Sequence, residues 1–169
     1  MYTVIVADDE EEIRRGIVRK VRWEELGFRV VGEAENGAEA LEMVEKLEPD
    51  LLLTDIRMPF LSGIELARSV REVLPTVQIA FLSGFDDFSY AQQAIQYNIV
   101  SYMLKPISAK EIEAELIKIK KAMDQRVEEF TKERKEKLDI RKTQFLIPLL
   151  LDSFQNERVS EEACLLYTS

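Results

Sequence analysis

Leu51-Leu52-Leu53-Thr54 runs without a charge into Asp55, between Pro49-Asp50 on one side and Ile56-Arg57-Met58-Pro59 on the other. A short apolar run bounded by turn residues suits a strand buried on both faces, as in a parallel sheet. The same punctuation recurs three more times. Val4-Ile5-Val6-Ala7 stops at Asp8-Asp9, Ile79-Ala80-Phe81-Leu82 stops at Ser83, and Tyr102-Met103-Leu104 stops at Lys105. In an open parallel sheet, ligands sit beyond the carboxyl ends of the strands, near the point where strand order reverses. Three carboxylates, a hydroxyl and an ammonium are thereby expected in one pocket.

Between these runs the apolar spacing turns helical. A first helix is expected from Glu11 to Arg22 with Ile13, Ile17, Val18 and Val21 on one face, and Gly27 closes the connection to a strand at Phe28–Gly32. Asn36-Gly37 opens a helix running to Leu47, with Ala40, Leu41, Val44 and Leu47 inward. Ser62-Gly63 precedes a third helix carrying Ile64, Leu66, Ala67, Val70 and Leu74, which Pro75 ends. Val77–Leu82, Asp87–Tyr97 and Val100–Leu104 read as strand, helix and strand. Five βα units imply an α/β fold, a parallel sheet with right-handed crossovers and helices on both faces.

After Pro106 the pattern changes. Ser108 and Glu111 form a capping box, and Ile112, Leu116, Ile119 and Met123 recur at four-three-four spacing. The seam turns irregular through Val127, Phe130 and Leu138, amid dense Glu, Lys and Arg. We read residues 1–122 as one domain and residues 123–169 as a helical linker. Gln144–Phe154 is apolar again around Pro148, and the tail Leu165–Ser169 reads as a truncation point or cloning remnant.

Composition narrows the chemistry. A formal charge of −9 argues against nucleic-acid binding by this stretch, since duplex binding depends on clustered cations. Cys164 is the only cysteine, so neither an intrachain disulfide nor a Cys-based zinc site is available. With no histidine, triad hydrolase and HExxH metalloprotease chemistry are excluded. The first strand pattern follows the N-terminus directly, and no apolar run reaches membrane-spanning length, so a cytoplasmic protein is expected.

Magnesium takes oxygen ligands, usually one or two carboxylates with water and a phosphate, and adjacent strands about 4.8 Å apart would let Asp8-Asp9 and Asp55 share one cation. Without it, the clustered carboxylates raise one another's pKa. Asp55 is the expected nucleophile toward a phosphoryl group, with Lys105 and the Ser83 hydroxyl holding phosphoryl oxygens. Lys105-Pro106 suggests a tight turn with a candidate cis bond. Each piece alone is commonplace: an acidic pair is often a helix N-cap, and Ser83-Gly84 is often a plain turn. Their ordered recurrence at strand ends is the signal.

The chain from about Tyr2 to Met123 resembles the receiver domain of bacterial response regulators. The resemblance rests on Asp8-Asp9-Glu10, on Asp55-Ile56-Arg57-Met58-Pro59 with Gly63, on Ser83-Gly84 and on Lys105-Pro106. It implies a flavodoxin-like (CheY-like) doubly wound five-stranded parallel sheet of order 2-1-3-4-5. It also implies phosphorylation of Asp55 by a sensor histidine kinase, and magnesium (or manganese) bound by Asp9, Asp55 and the main-chain carbonyl of Arg57, with Asp8 acting through water. Tyr102 falls at the family's aromatic switch, which moves with Ser83, and phosphorylation-promoted homodimerisation through the fourth and fifth helices is implied.

Arg57 is a bulky cation at a position where it could slow attacking water or contact the phosphoryl group; an ordinary exposed arginine is the plain alternative. The stretch Ser83–Tyr90 resembles receivers joined to AraC-type helix-turn-helix regulators, which implies transcriptional control and DNA contact only through a domain outside this chain. Two other functions compete with the switch. A haloacid-dehalogenase-type phosphatase needs a second Asp two residues after its nucleophile, where Asp55 has Arg57 and Asp8 has Glu10. A phosphorylation-independent interaction module would not need all five site positions.

Overall fold

The computed structural model describes residues 1–84 and 88–166, with backbone alone toward the end of the last helix. Five strands, β1 (Tyr2–Ala7), β2 (Phe28–Ala34), β3 (Leu51–Asp55), β4 (Gln78–Ser83) and β5 (Ser101–Leu104), form one parallel sheet in the order β2-β1-β3-β4-β5. The helices are α1 (Glu11–Lys20), α2 (Gly37–Leu47), α3 (Gly63–Val73), α4 (Phe88–Gln96) and α5 (Ala109–Leu166). The alternation of runs predicts the parallel α/β sheet, and the strand order is the flavodoxin-like one that the family resemblance implies.

Strand burial explains the uninterrupted apolar runs. Val4 to Ala7, Leu51 to Leu53 and Ile79 to Leu82 are fully buried, because successive side chains point to opposite faces and both faces are covered. Ile5, Ala7, Leu52, Ile79 and Phe81 share a core with Ala40 and Val44 of α2 and Leu66, Ala67 and Val70 of α3. Their neighbours along the strands, Val4, Val6, Leu51, Leu53 and Leu82, are turned to the other face. There, α1 and α5 contribute the buried Ile17, Ile112 and Leu116.

Helix starts are set by side chains that occupy the orphan amides of the first turn. Asn36 accepts from the Glu39 amide at 2.9 Å to open α2. Ser62 and Glu65 form a complete capping box at α3, and Ser108 and Glu111 make the expected reciprocal bonds at α5, 3.3 and 2.7 Å long. On α1, Glu11 and Glu12 lie in the first turn and Arg19 and Lys20 in the last, matching the helix dipole.

The structure departs from the sequence reading at several boundaries. Helix α1 stops at Lys20 with Val21 extended, two residues short of the expected Arg22. The Arg22 amide and guanidinium are taken instead by Glu113 of α5, at 2.8 to 3.1 Å, and the Trp23 indole donates to the Val18 carbonyl at 3.1 Å. Leu47, expected inward, is exposed, because the left-handed Glu48 (φ 44) ends α2 at that turn. Strand β2 runs two residues past Gly32, to Ala34. The expected start of α4 at Asp87 and the aromatic residue Phe85 lie outside the described residues, as does the tail from Tyr167.

The chain falls into two compact units, Met1–Lys121 and Ala122–Ser169. The second is helical throughout its described length, and Val127, Phe130, Leu138 and Ile140 on it are exposed. Among the described residues no helix is long and apolar enough to cross a membrane.

Candidate functional site

Sheet register brings the four run ends to one rim. Ala7 pairs with Thr54, Asp55 with Leu82, and Ser83 with Leu104, so Asp8, Asp55, Ser83 and Lys105 emerge side by side. The Lys105 amide donates to the Ser83 carbonyl at 2.7 Å, extending the ladder to the lysine itself. The Lys105-Pro106 peptide is cis, as its turn suggested.

Lys105 is the hub. Its ammonium lies 2.7 Å from Asp8 Oδ2 and 3.1 Å from Asp55 Oδ1, with Glu10 at 3.8 Å. Asp8 is completely buried and Asp55 nearly so. The second oxygen of Asp55 accepts from the Arg57 amide at 3.0 Å. Burial raises the Asp55 carboxyl above its usual pKa; the Lys105 ammonium pulls the other way, and the Asp8 charge adds to the rise. For Lys105, burial acts to lower the pKa, yet the two carboxylates overcome it and the ammonium is held above its ordinary value.

The remaining residues of the expected site fall close by. Asp9 is exposed and opens, with Arg57, Met58, Glu65, Tyr90 and Gln93, on a cleft of about 780 Å³ beside the rim. The Arg57 guanidinium stands 5.9 Å from the centre of the Tyr90 ring, a cation–π arrangement. Ser83 is buried at the end of β4. Tyr102 is half-buried on β5, opposite Phe81 and against the core.

Among the described residues, no three His, Cys, Asp or Glu side chains are gathered into a formed metal cluster. The donor chemistry nevertheless fits a hard divalent cation: carboxylates at Asp8 and Asp55, a third at Asp9 on the adjoining cleft, and loop carbonyls. Lys105 here supplies the positive charge those carboxylates require.

Two glycines shape the loop after Asp55. A Cβ on Gly63 would stand 2.1 Å from the Asp55 carbonyl oxygen, and one on Gly37 would stand 1.9 Å from that of Leu61. At the loop tip Phe60 takes a positive φ of 67° and is 88% exposed.

Sequence reasoning missed two arginines. Arg14, not singled out on the first helix, is buried and donates to the Asp8 carbonyl at 2.5 Å. Arg71 of α3 donates to the carbonyls of Tyr97 at 2.8 Å, Asn98 at 3.0 Å and Val77. Nothing in the local sequence separates either arginine from the solvated cations around it, such as Arg15 beside Arg14.

A parallel sheet with this rim of acid, hydroxyl and lysine defines a class, and comparison with known proteins agrees. Residues 4–117 match the family model described as "Response regulator receiver domain". The chain belongs to the response regulator receiver domain family. It is 40% identical over 119 residues to the transcriptional regulatory protein YesN of Bacillus subtilis, an alignment covering 70% of this chain and 32% of that protein. The receiver domain of AraT, a response regulator from Geobacillus stearothermophilus, superposes with a TM-score of 0.70 at 38% identity, covering 74% of this chain and 97% of that one. A two-component transcriptional regulator AraC from Clostridium phytofermentans does so with a TM-score of 0.64 at 33% identity, covering 70% and 92%. The chain spans between about a third and under a half of the curated relatives it matches.

Proposed function

We propose that this chain is the phosphoacceptor switch of a two-component transcription regulator, taking a phosphoryl group on Asp55 from a sensor histidine kinase. The observation that carries the reading is the shared ammonium: Lys105 Nζ contacts both Asp8 and Asp55 at the carboxyl rim of the sheet. An Asp55 oxygen attacks phosphorus while the bond to the donor nitrogen breaks and the electron pair leaves with the imidazole. Lys105 turns one contact from Asp55 to a phosphoryl oxygen, and the Ser83 hydroxyl donates to another. Magnesium, held by Asp9, Asp55 and the Arg57 carbonyl with Asp8 behind them, would neutralise charge on the transferred group.

On this reading the domain is a substrate of phosphotransfer rather than a turnover enzyme, and Ser83 with Tyr102 passes the new charge to the surface of α4, β5 and α5. The names of its relatives support transcriptional control; to this we add DNA contact through an AraC-type domain outside residues 1–169 and pairing of two copies on phosphorylation. The test is mass spectrometry after incubation with acetyl phosphate and magnesium. The native chain should gain one phosphoryl group and Asp55→Asn none; an equal gain in both would place the acceptor elsewhere.

A further inference from the structure

Asp8 is held at each of its polar atoms. Its amide donates to the Ala34 carbonyl of β2 at 3.1 Å, Oδ1 accepts from the Glu10 amide at 2.9 Å, and Oδ2 accepts from Lys105 at 2.7 Å. The fourth contact comes from Arg14, one turn into α1, whose Nη1 donates to the Asp8 carbonyl at 2.5 Å. That carbonyl belongs to the peptide joining Asp8 to Asp9. Fixing it fixes the plane from which the Asp9 side chain departs.

Arg14 is placed at a cost that packing does not explain. Its side chain is only 10% exposed, and its Nε has no hydrogen-bond partner; the nearest carboxylate, Glu33 on β2, is 3.8 Å away. A buried cation with an unsatisfied donor is destabilising, and an apolar residue of similar volume would fill the site more cheaply. What only a guanidinium does here is reach the Asp8 carbonyl while keeping Glu33 beside it.

We propose that Arg14 is a positioning residue that holds the Asp8–Asp9 peptide in the orientation needed to bind a divalent cation. This rests on the metal-dependent reading above and extends it to a residue outside the acidic set. The sign of the effect separates positioning from electrostatics. Arg14 is a positive charge close to a cation site, so if charge alone mattered, its removal would tighten metal binding. If orientation matters, removal weakens it.

The test is calorimetric titration of the full chain with magnesium chloride, comparing native, Arg14→Met and Arg14→Lys. Loss of the group behind a metal ligand commonly weakens binding about 10- to 100-fold; a rise in Kd of at least about threefold is expected for Arg14→Met, with Arg14→Lys in between. In the metal-free chain, hydrogen exchange at the Glu10 amide should also quicken in Arg14→Met. Magnesium binding by Arg14→Met as tight as native, or tighter, overturns the proposal. Should Arg14→Met fail to fold, Arg14→Lys decides: weaker binding at an unchanged melting temperature supports positioning, and native affinity refutes it. A native chain that neither binds magnesium nor labels at Asp55 would instead sink the phosphoacceptor reading.

Discussion

Adding one methyl group at Gly63 should damage both the fold and the chemistry at Asp55. A Cβ there would lie 2.1 Å from the Asp55 carbonyl oxygen and 2.9 Å from the Ile56 Cα, where ordinary contact begins near 3.4 Å. Both obstacles are backbone, and the Gly63 amide is itself tied to the Ile56 carbonyl at 2.8 Å. Relief therefore needs the loop to move by about 1 Å, which overpacking data put at about 3 kcal/mol. A misplacement of about 1 Å at a reacting group costs about 100-fold in rate. Urea unfolding of Gly63→Ala should show the first loss, and the rate of labelling by acetyl phosphate the second. Gly16→Ala is the control, since nothing lies within 4 Å of its Cβ on α1 and a helix gains up to about 1 kcal/mol from Ala over Gly. A Gly63→Ala protein within about 1 kcal/mol of native that labels at the native rate would refute the close-approach argument.

Arg71→Met removes donors from the carbonyls of Val77, Tyr97 and Asn98 and should cost about 2 kcal/mol in denaturant unfolding; a loss below about 0.5 kcal/mol would show that water replaces the guanidinium. Lys105 is held above its ordinary pKa of 10.5 by Asp8 and Asp55 against the opposing effect of burial, so its stabilisation is complete below pH 10.5 and fades as pH rises through the folded value. On the alkaline side the stability gap between native and Lys105→Met should therefore narrow only in strong alkali, and a gap that narrows as pH is raised from about 7 to about 9 would contradict the geometry. Magnesium at a hundredfold excess over Kd should stabilise the native fold by about 2.7 kcal/mol and Asp55→Asn by less; a melting temperature indifferent to magnesium would count against the metal site.

The parallel strands were legible because their burial on two faces leaves no room for polar alternation. Val4–Ala7 and Leu51–Leu53 could hardly be read otherwise. Edge strand β2 was cut short at Gly32 because Gly32 and Glu33 break the apolar run, although Glu33 and the buried Ala34 still pair with β1. The end of α1 was misplaced because apolar spacing cannot reveal that Arg22 is claimed by Glu113, 91 residues away in sequence. The capping box at Ser108 and Glu111 was visible, being local, whereas the one at Ser62 and Glu65 was not singled out. The rim residues were recognised as a set through their order, while Arg14 and Arg71 stayed hidden because a cation that serves main-chain carbonyls leaves no pattern in composition or period.

The contact between Lys105 and Asp8 closes a loop of 97 residues. A chain still emerging from the ribosome has Asp8 and Asp55 in hand but no ammonium to seat between them until β5 has been made and docked at the sheet edge. Any chemistry that needs Lys105 beside these carboxylates is thus withheld from a chain whose fifth strand has not yet docked, so an assembled rim doubles as proof that the sheet is finished.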